Sequence, residues 1–139
     1  MPECYLLAIA QNSTLDKTNN TWSLYNLLEQ IQIETAEPFA SGETIRAPLE
    51  IHVYWELNKS EQGVEFQFRL VSITEEGERV GEKLFPLKSD KPRHRFRLLG
   101  LEIYATGRNE LRVEWRKKGG RKWHRSSAYS PLTVEVVQK

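Results

Sequence analysis

The chain holds one cysteine, Cys4, in 139 residues, so no intramolecular disulfide can staple its fold. Stability must come from a packed core, and a lone thiol suits the reducing cytoplasm, the compartment expected for this chain. Long apolar runs are absent: none approaches the roughly 20 residues that cross a bilayer as a helix. The opening Met1-Pro2-Glu3-Cys4-Tyr5-Leu6-Leu7-Ala8-Ile9-Ala10 lacks the basic start of a signal peptide and carries Glu3 instead. It reads as a first strand, Cys4 to Ala10, covered on both faces.

Histidine is scarce too. His52, His94 and His124 lie far apart, none with a second His or Cys at ligand spacing, so no metal site is expected. There is no glycine-rich phosphate loop and no Gly-x-Ser-x-Gly elbow. Cys4 falls within a core strand, where a thiol behaves as a small apolar group. Ser126 and Ser127 follow His124 closely, but nothing in the sequence marks them as activated. No cofactor and no enzymatic activity are expected.

What the chain does have is alternation. Leu49, Ile51, Val53, Trp55 and Leu57 share one face of an extended segment, and Glu50, His52, Tyr54 and Glu56 share the other. Val64, Phe66, Phe68 and Leu70 repeat the pattern against Glu65, Gln67 and Arg69. With the polar turn Asn58 to Gly63 between them, the two segments predict an antiparallel hairpin with one wet face, on which His52 would be a surface histidine. An apolar sheet face must be buried against a second layer. Further short strands follow: Lys83–Leu87, marked as an edge by Pro86; Phe96–Ile103, with a bulge at Leu99-Gly100; Leu111–Trp115; and a last strand carrying Leu132, Val134 and Val136 inward. Glu37 to Gly42 reads as a connection. The expected fold is all-β: one antiparallel two-sheet β-sandwich domain over residues 1–139, with about eight strands.

One element reads two ways. Leu24, Leu27, Leu28 and Ile31 are spaced for an amphipathic helix, whereas Ile31-Gln32-Ile33-Glu34-Thr35 alternates like a strand. The stretch Ser23-Leu24-Tyr25-Asn26-Leu27-Leu28-Glu29-Gln30-Ile31 resembles a motif of a small uncharacterised bacterial family, roughly Ser-Leu-Ile-Gly-Ile-Phe-Asp-Arg-Ile. The resemblance covers about the first 35 residues and departs at Asn26, where the motif has Gly, and at the Leu27-Leu28 pair. It implies an immunoglobulin-like sandwich in which this motif is the second strand of the opening hairpin, and it implies no catalytic residues. Trp22 to Thr35 is accordingly expected as strand, with a short helix near 23–31 as the alternative.

Charge is unevenly spread. Residues 1–80 hold 5 Lys/Arg against 13 Asp/Glu, a balance of −8; residues 81–139 hold 15 against 6, a balance of +9. Strands from the two halves of a sandwich interleave, so mutual neutralisation is the expectation. The densest segment, 116–125, offers Arg116, Lys117, Lys118, Arg121, Lys122, Trp123 and Arg125 as a candidate binding surface. Lysine and arginine can hold phosphates while an indole stacks on a base. Lys88, Lys91, Arg93, Arg95 and Arg97 form a second basic cluster. Trp22, Trp55 and Trp115 are expected in the core. Tyr54, Tyr104, Trp123 and Tyr129 are the aromatics left for a carbohydrate. The sequons at Asn12 and Asn19 read as chance matches in a polar loop. The chain is thus expected to be a non-catalytic protein-interaction or structural module that binds another protein or itself, with nucleic-acid binding through 116–125 as the alternative and no membrane partner.

Overall fold

The computed structural model describes residues 1–19, 21–35 and 44–138. It consists of β1 (Glu3–Asp16), β2 (Thr21–Leu27), β3 (Gln30–Thr35), β4 (Ile45–Glu56), β5 (Phe66–Ile73), β6 (Arg79–Leu87), β7 (Arg93–Ile103), β8 (Gly107–Lys117) and β9 (His124–Gln138). Two sheets, ordered β2-β1-β4-β7 and β3-β9-β8-β5-β6, form the sandwich. Among the described residues no helix occurs, and none is long and apolar enough to cross a membrane. The expected connection over 37–42 lies outside the described residues.

The inward faces are those set by the period-two pattern. Trp55 and Phe68 are fully buried with ring centroids 5.4 Å apart, and Phe68 also meets Phe96 at 4.8 Å and Phe85 at 5.0 Å. Trp115 packs edge-on against Phe66. Burying each such side chain contributes roughly 1.5–3 kcal/mol. Cys4 lies in the same core. Burial pushes its thiol up to about 11, further than its backbone hydrogen bonds lower it, so it is an inert thiol at neutral pH.

The expected all-β two-sheet sandwich is present, and so is strand over Trp22 to Thr35; one feature, the wholly antiparallel pairing, needs correction. Nine strands are present among the described residues, against the about eight expected, because Trp22 to Thr35 supplies two. Its first part, β2, pairs antiparallel with β1 as the second strand of a hairpin, and the helix alternative is not realised. Its second part, β3, crosses to the other sheet and pairs parallel with β9, so the sandwich is not wholly antiparallel. The crossing follows Asn26, the one non-glycine residue with positive φ among the described residues (54°). Asparagine tolerates this left-handed conformation better than most residues do.

The first strand is also longer than expected, and its two halves do different work. As far as Ala10 it is laddered to β4; beyond, it pairs with β2 alone. Trp22 lies opposite Leu15, whereas His52 lies opposite Ala8. Seven residues of straight strand span about 23 Å, yet the Trp22 and His52 rings are 5.8 Å apart. The distal hairpin therefore curls back over the outward face of its own sheet.

Candidate functional site

Under this curl lies a polar cluster that the alternation places in solvent. Glu50, His52 and Tyr54 do point away from the core, but all three are buried, His52 completely. His52 as a surface histidine, Tyr54 as an exposed aromatic and Trp22 as a core residue are corrected together. Trp22, half-buried, roofs the outer face of the sheet. Its ring meets His52 edge-on, and the Arg97 guanidinium carbon lies 5.7 Å from the Trp22 ring centroid. Arg95 lies over Tyr54 in the same way. Tyr5, displaced by a bulge between Cys4 and Leu6, packs against Tyr54 from the other side.

The carboxylate is the hub of the cluster. Ser13 Oγ donates to Glu50 Oε1 at 2.6 Å, His52 Nε2 lies 3.0 Å from the same oxygen, and Arg97 Nε approaches it at 3.8 Å. Burial pushes the Glu50 carboxyl upward, but the hydrogen bonds from Ser13 and His52 and the charge of Arg97 outweigh it and hold the group below its ordinary value. His52 is lowered, chiefly by burial, against the opposing pull of Glu50. A neutral imidazole donating from Nε2 leaves Nδ1 as a bare acceptor, and Nδ1 and the Tyr54 hydroxyl are both buried without a hydrogen-bond partner among the described residues. The trio has the residue types of a hydrolase but not the arrangement. An activated serine must bond to the imidazole, whereas here Glu50 sits between Ser13 and His52 and engages both.

The basic candidate surface divides. Arg116 Nε donates to Gln67 Oε1 at 3.0 Å, and Lys118 Nζ pairs with Glu65 at 2.9 Å. The guanidinium carbons of Arg116 and Arg69 lie 4.3 Å and 4.2 Å from the Trp123 ring centroid. Those two arginines are diagonal neighbours on β8 and β5, so their spacing follows from the register Gln67↔Arg116 and Arg69↔Glu114. The Trp123 ring is thereby taken up in cation–π contacts. Lys117, Arg121, Lys122 and Arg125 make no ion pair among the described residues.

The two basic clusters do not merge. Arg93, Arg95 and Arg97 project from β7 on the outer face of the four-stranded sheet, opposite Glu56, Tyr54 and His52. Arg116 belongs to the other sheet, and where the clusters approach, Glu65 stands between Lys88 and Lys118 at 3.6 Å and 2.9 Å. On the outer face of the five-stranded sheet, Glu114 accepts from both Arg69 and Arg79, and Glu82 pairs with the same two arginines. Neutralisation between the acidic and basic halves is partial: Glu65 meets Lys88 and Lys118, and Glu50 meets Arg97. Of the remaining aromatic candidates, Tyr129 is exposed beside an open polar groove with Arg112 and Glu110, whereas Tyr104 is half-buried and donates to Glu102. Among the described residues no group of three His, Cys, Asp or Glu could hold a metal ion.

Compared with known proteins, the chain matches no protein-family model and no curated protein sequence.

The buried polar cluster is what sequence reasoning missed. Period two assigns each side chain to a face correctly, but whether the outer face is covered depends on a hairpin that returns from a distant part of the strand. Trp22, an indole in an otherwise polar stretch, is the available hint.

Proposed function

We propose that the chain is a non-catalytic interaction module, acting in the cytoplasm, that takes a partner polypeptide along an open edge of its sandwich. The partner is another protein or a second copy of the chain. The observation that carries this reading is β7, an edge strand of 11 residues that pairs only with β4 among the described residues. An added strand gains main-chain hydrogen bonds along such an edge, and alternate side chains supply specificity. Leu99, 61% exposed, stands on the same face as Arg93 and Arg97, which suits a segment that mixes apolar and acidic residues. The other edges are poorer: β6 is interrupted by Pro86, and β2 and β3 are short, at 7 and 6 residues. The resemblance of 23–31 to a bacterial sandwich family brings no activity with it and is compatible with this role.

The alternative, nucleic-acid binding through 116–125, is disfavoured because the indole that would stack a base is occupied and the basic clusters are separated by carboxylates.

Panning a library of extended peptides and mapping bound ones by amide hydrogen exchange tests the proposal. Bound peptides should protect amides within 93–103, and Leu99→Lys should weaken binding at least about fivefold. Protection confined to other strands, with Leu99→Lys without effect, would overturn the β7 reading.

A further inference from the structure

At the end of the sandwich where β1 and β9 begin, a groove of about 470 Å³ runs between the first residues of the chain and the β8–β9 turn. Its walls include Trp115, Lys122, Trp123, His124, Arg125 and Ser127, and the carboxylate among them is Glu3. Trp115 and His124 are stacked, with centroids 4.5 Å apart and an interplanar angle of 23°, which makes a rigid aromatic side.

Among the described residues Lys122 and Arg125 on this wall make no ion pair, for a definable reason. In the β8–β9 ladder Arg125 stands opposite Glu114, the carboxylate that would ordinarily neutralise it. Glu114 is already engaged by Arg69 at 2.7 Å and by Arg79 at 2.5 Å. Lys122 lies beyond the end of β8, past the Lys118–Glu65 pair, and makes no ion pair among the described residues. Two cations without an ion pair among the described residues therefore share one groove with the Ser127 hydroxyl and an aromatic side, while Arg69, Arg79 and Lys118 nearby are matched by carboxylates. That combination is suited to an oxyanion presented by a side chain.

We infer that this groove is a second docking site, for a peptide side chain carrying an oxyanion, either a carboxylate or a phosphate. The inference rests on the interaction-module reading but uses a surface separate from β7. A peptide fits better than a nucleic acid strand. Trp123 is occupied by Arg69 and Arg116, Trp115 is buried beneath His124, and Glu3 would repel a continuous phosphate backbone. Guanidinium and ammonium groups recognise acidic and phosphorylated peptide motifs by charge-assisted hydrogen bonds.

The test is fluorescence anisotropy at physiological salt with the full chain and four labelled probes: a peptide rich in Asp and Glu, a peptide with one phosphotyrosine, a neutral peptide of the same length, and a single-stranded oligonucleotide. Each is titrated into the wild type, into Lys122→Gln/Arg125→Gln, into the charge-matched Lys17→Gln/Lys59→Gln, and into Leu99→Lys. Binding of the acidic or the phosphorylated peptide, weakened about tenfold or more by the groove variant and unchanged in the other two, supports the inference, and the tighter of the two probes identifies the oxyanion. Binding of neither anionic peptide, equal losses in the groove and charge-matched variants, or tighter binding of the oligonucleotide overturns it. Because Leu99→Lys probes β7 and leaves the groove intact, failure of the groove and failure of the edge reading are distinguishable. Thermal melts establish that each variant is folded.

Discussion

His52 and Glu50, two residues apart on β4, share a hydrogen bond of 3.0 Å on the outward face of their sheet, and Trp22 from the curled hairpin closes over the imidazole. The sandwich thus has a small second layer on one side, held by a carboxylate that also takes the Ser13 hydroxyl.

Acid should loosen that layer. The His52 imidazole is held below its ordinary 6.5, mainly by burial, so the unfolded chain binds its proton first as pH falls and stability drops below about pH 6.5. His94, lowered by burial, acts in the same direction. Glu50 and Glu114 are held below their ordinary 4.5, despite burial, by their hydrogen-bonded partners; the stability they contribute above that value is lost as pH falls through their folded values. Urea melts at about pH 7.5 and 5.5 should show a fall in midpoint that is smaller in His52→Gln. An equal fall in both would remove His52 from this account.

Truncating the core indole should be costly. Trp55 is fully buried between the sheets, so Trp55→Ala should cost roughly 3–5 kcal/mol in denaturant melts. Glu56, the next residue, is exposed, and Glu56→Ala should change stability by no more than about 0.5 kcal/mol. Similar costs at the two positions would mean that the register of β4 is wrong.

The inward register was legible because the apolar residues of 49–57 and 64–70 recur with period two and each run is long enough to set its own phase. The outward side was not, since Glu50, His52 and Tyr54 look wet in any local window, and what covers them is paired opposite Leu15. The alternation of Ile31 and Ile33 was visible, but nothing near them specifies a parallel partner about a hundred residues away. Within 116–125 the cations could be counted from the sequence; which are matched depends on Glu65 in the loop before β5, on Gln67 of β5, and on Glu114 of β8 being taken up by Arg69 and Arg79.

Gly81 should not tolerate a side chain. Its φ of 66° is left-handed, and a Cβ there would run into the Tyr104 ring. Gly81→Ala should cost about 1–3 kcal/mol, and the double variant with Tyr104→Ala should cost less than the sum of the two single ones. Gly63, also left-handed but open on its Cβ side, isolates the backbone part, and Gly63→Ala should cost about 1 kcal/mol. Additive costs in the Gly81/Tyr104 pair would show that the ring contact contributes nothing.

Asn26 allows the crossing between sheets to be probed. Asn26→Gly should leave stability within about 0.5 kcal/mol, since glycine enters the left-handed region freely while the bond from Asn26 to Gln11 is lost. Asn26→Val should cost about 1–2 kcal/mol. A valine variant as stable as the wild type would mean that the backbone here is not left-handed in solution.

The parallel pairing of β3 with β9 also has a bearing on the order in which the molecule can be made. Glu29 accepts from the Thr133 amide, and Gln30 to Thr35 run beside Thr133 to Gln138, so an early segment finds its place only when the last strand has been synthesised. Until then β1, β2 and β4 can associate while β3 waits with its hydrogen-bonding groups unmet and the future core of the second sheet uncovered. Folding that closes such a long span is slow, and a nascent chain paused before residue 133 would be open to pairing with other strands. Removal of residues 133–138 would therefore leave Gln30 to Thr35 without the ladder that places them.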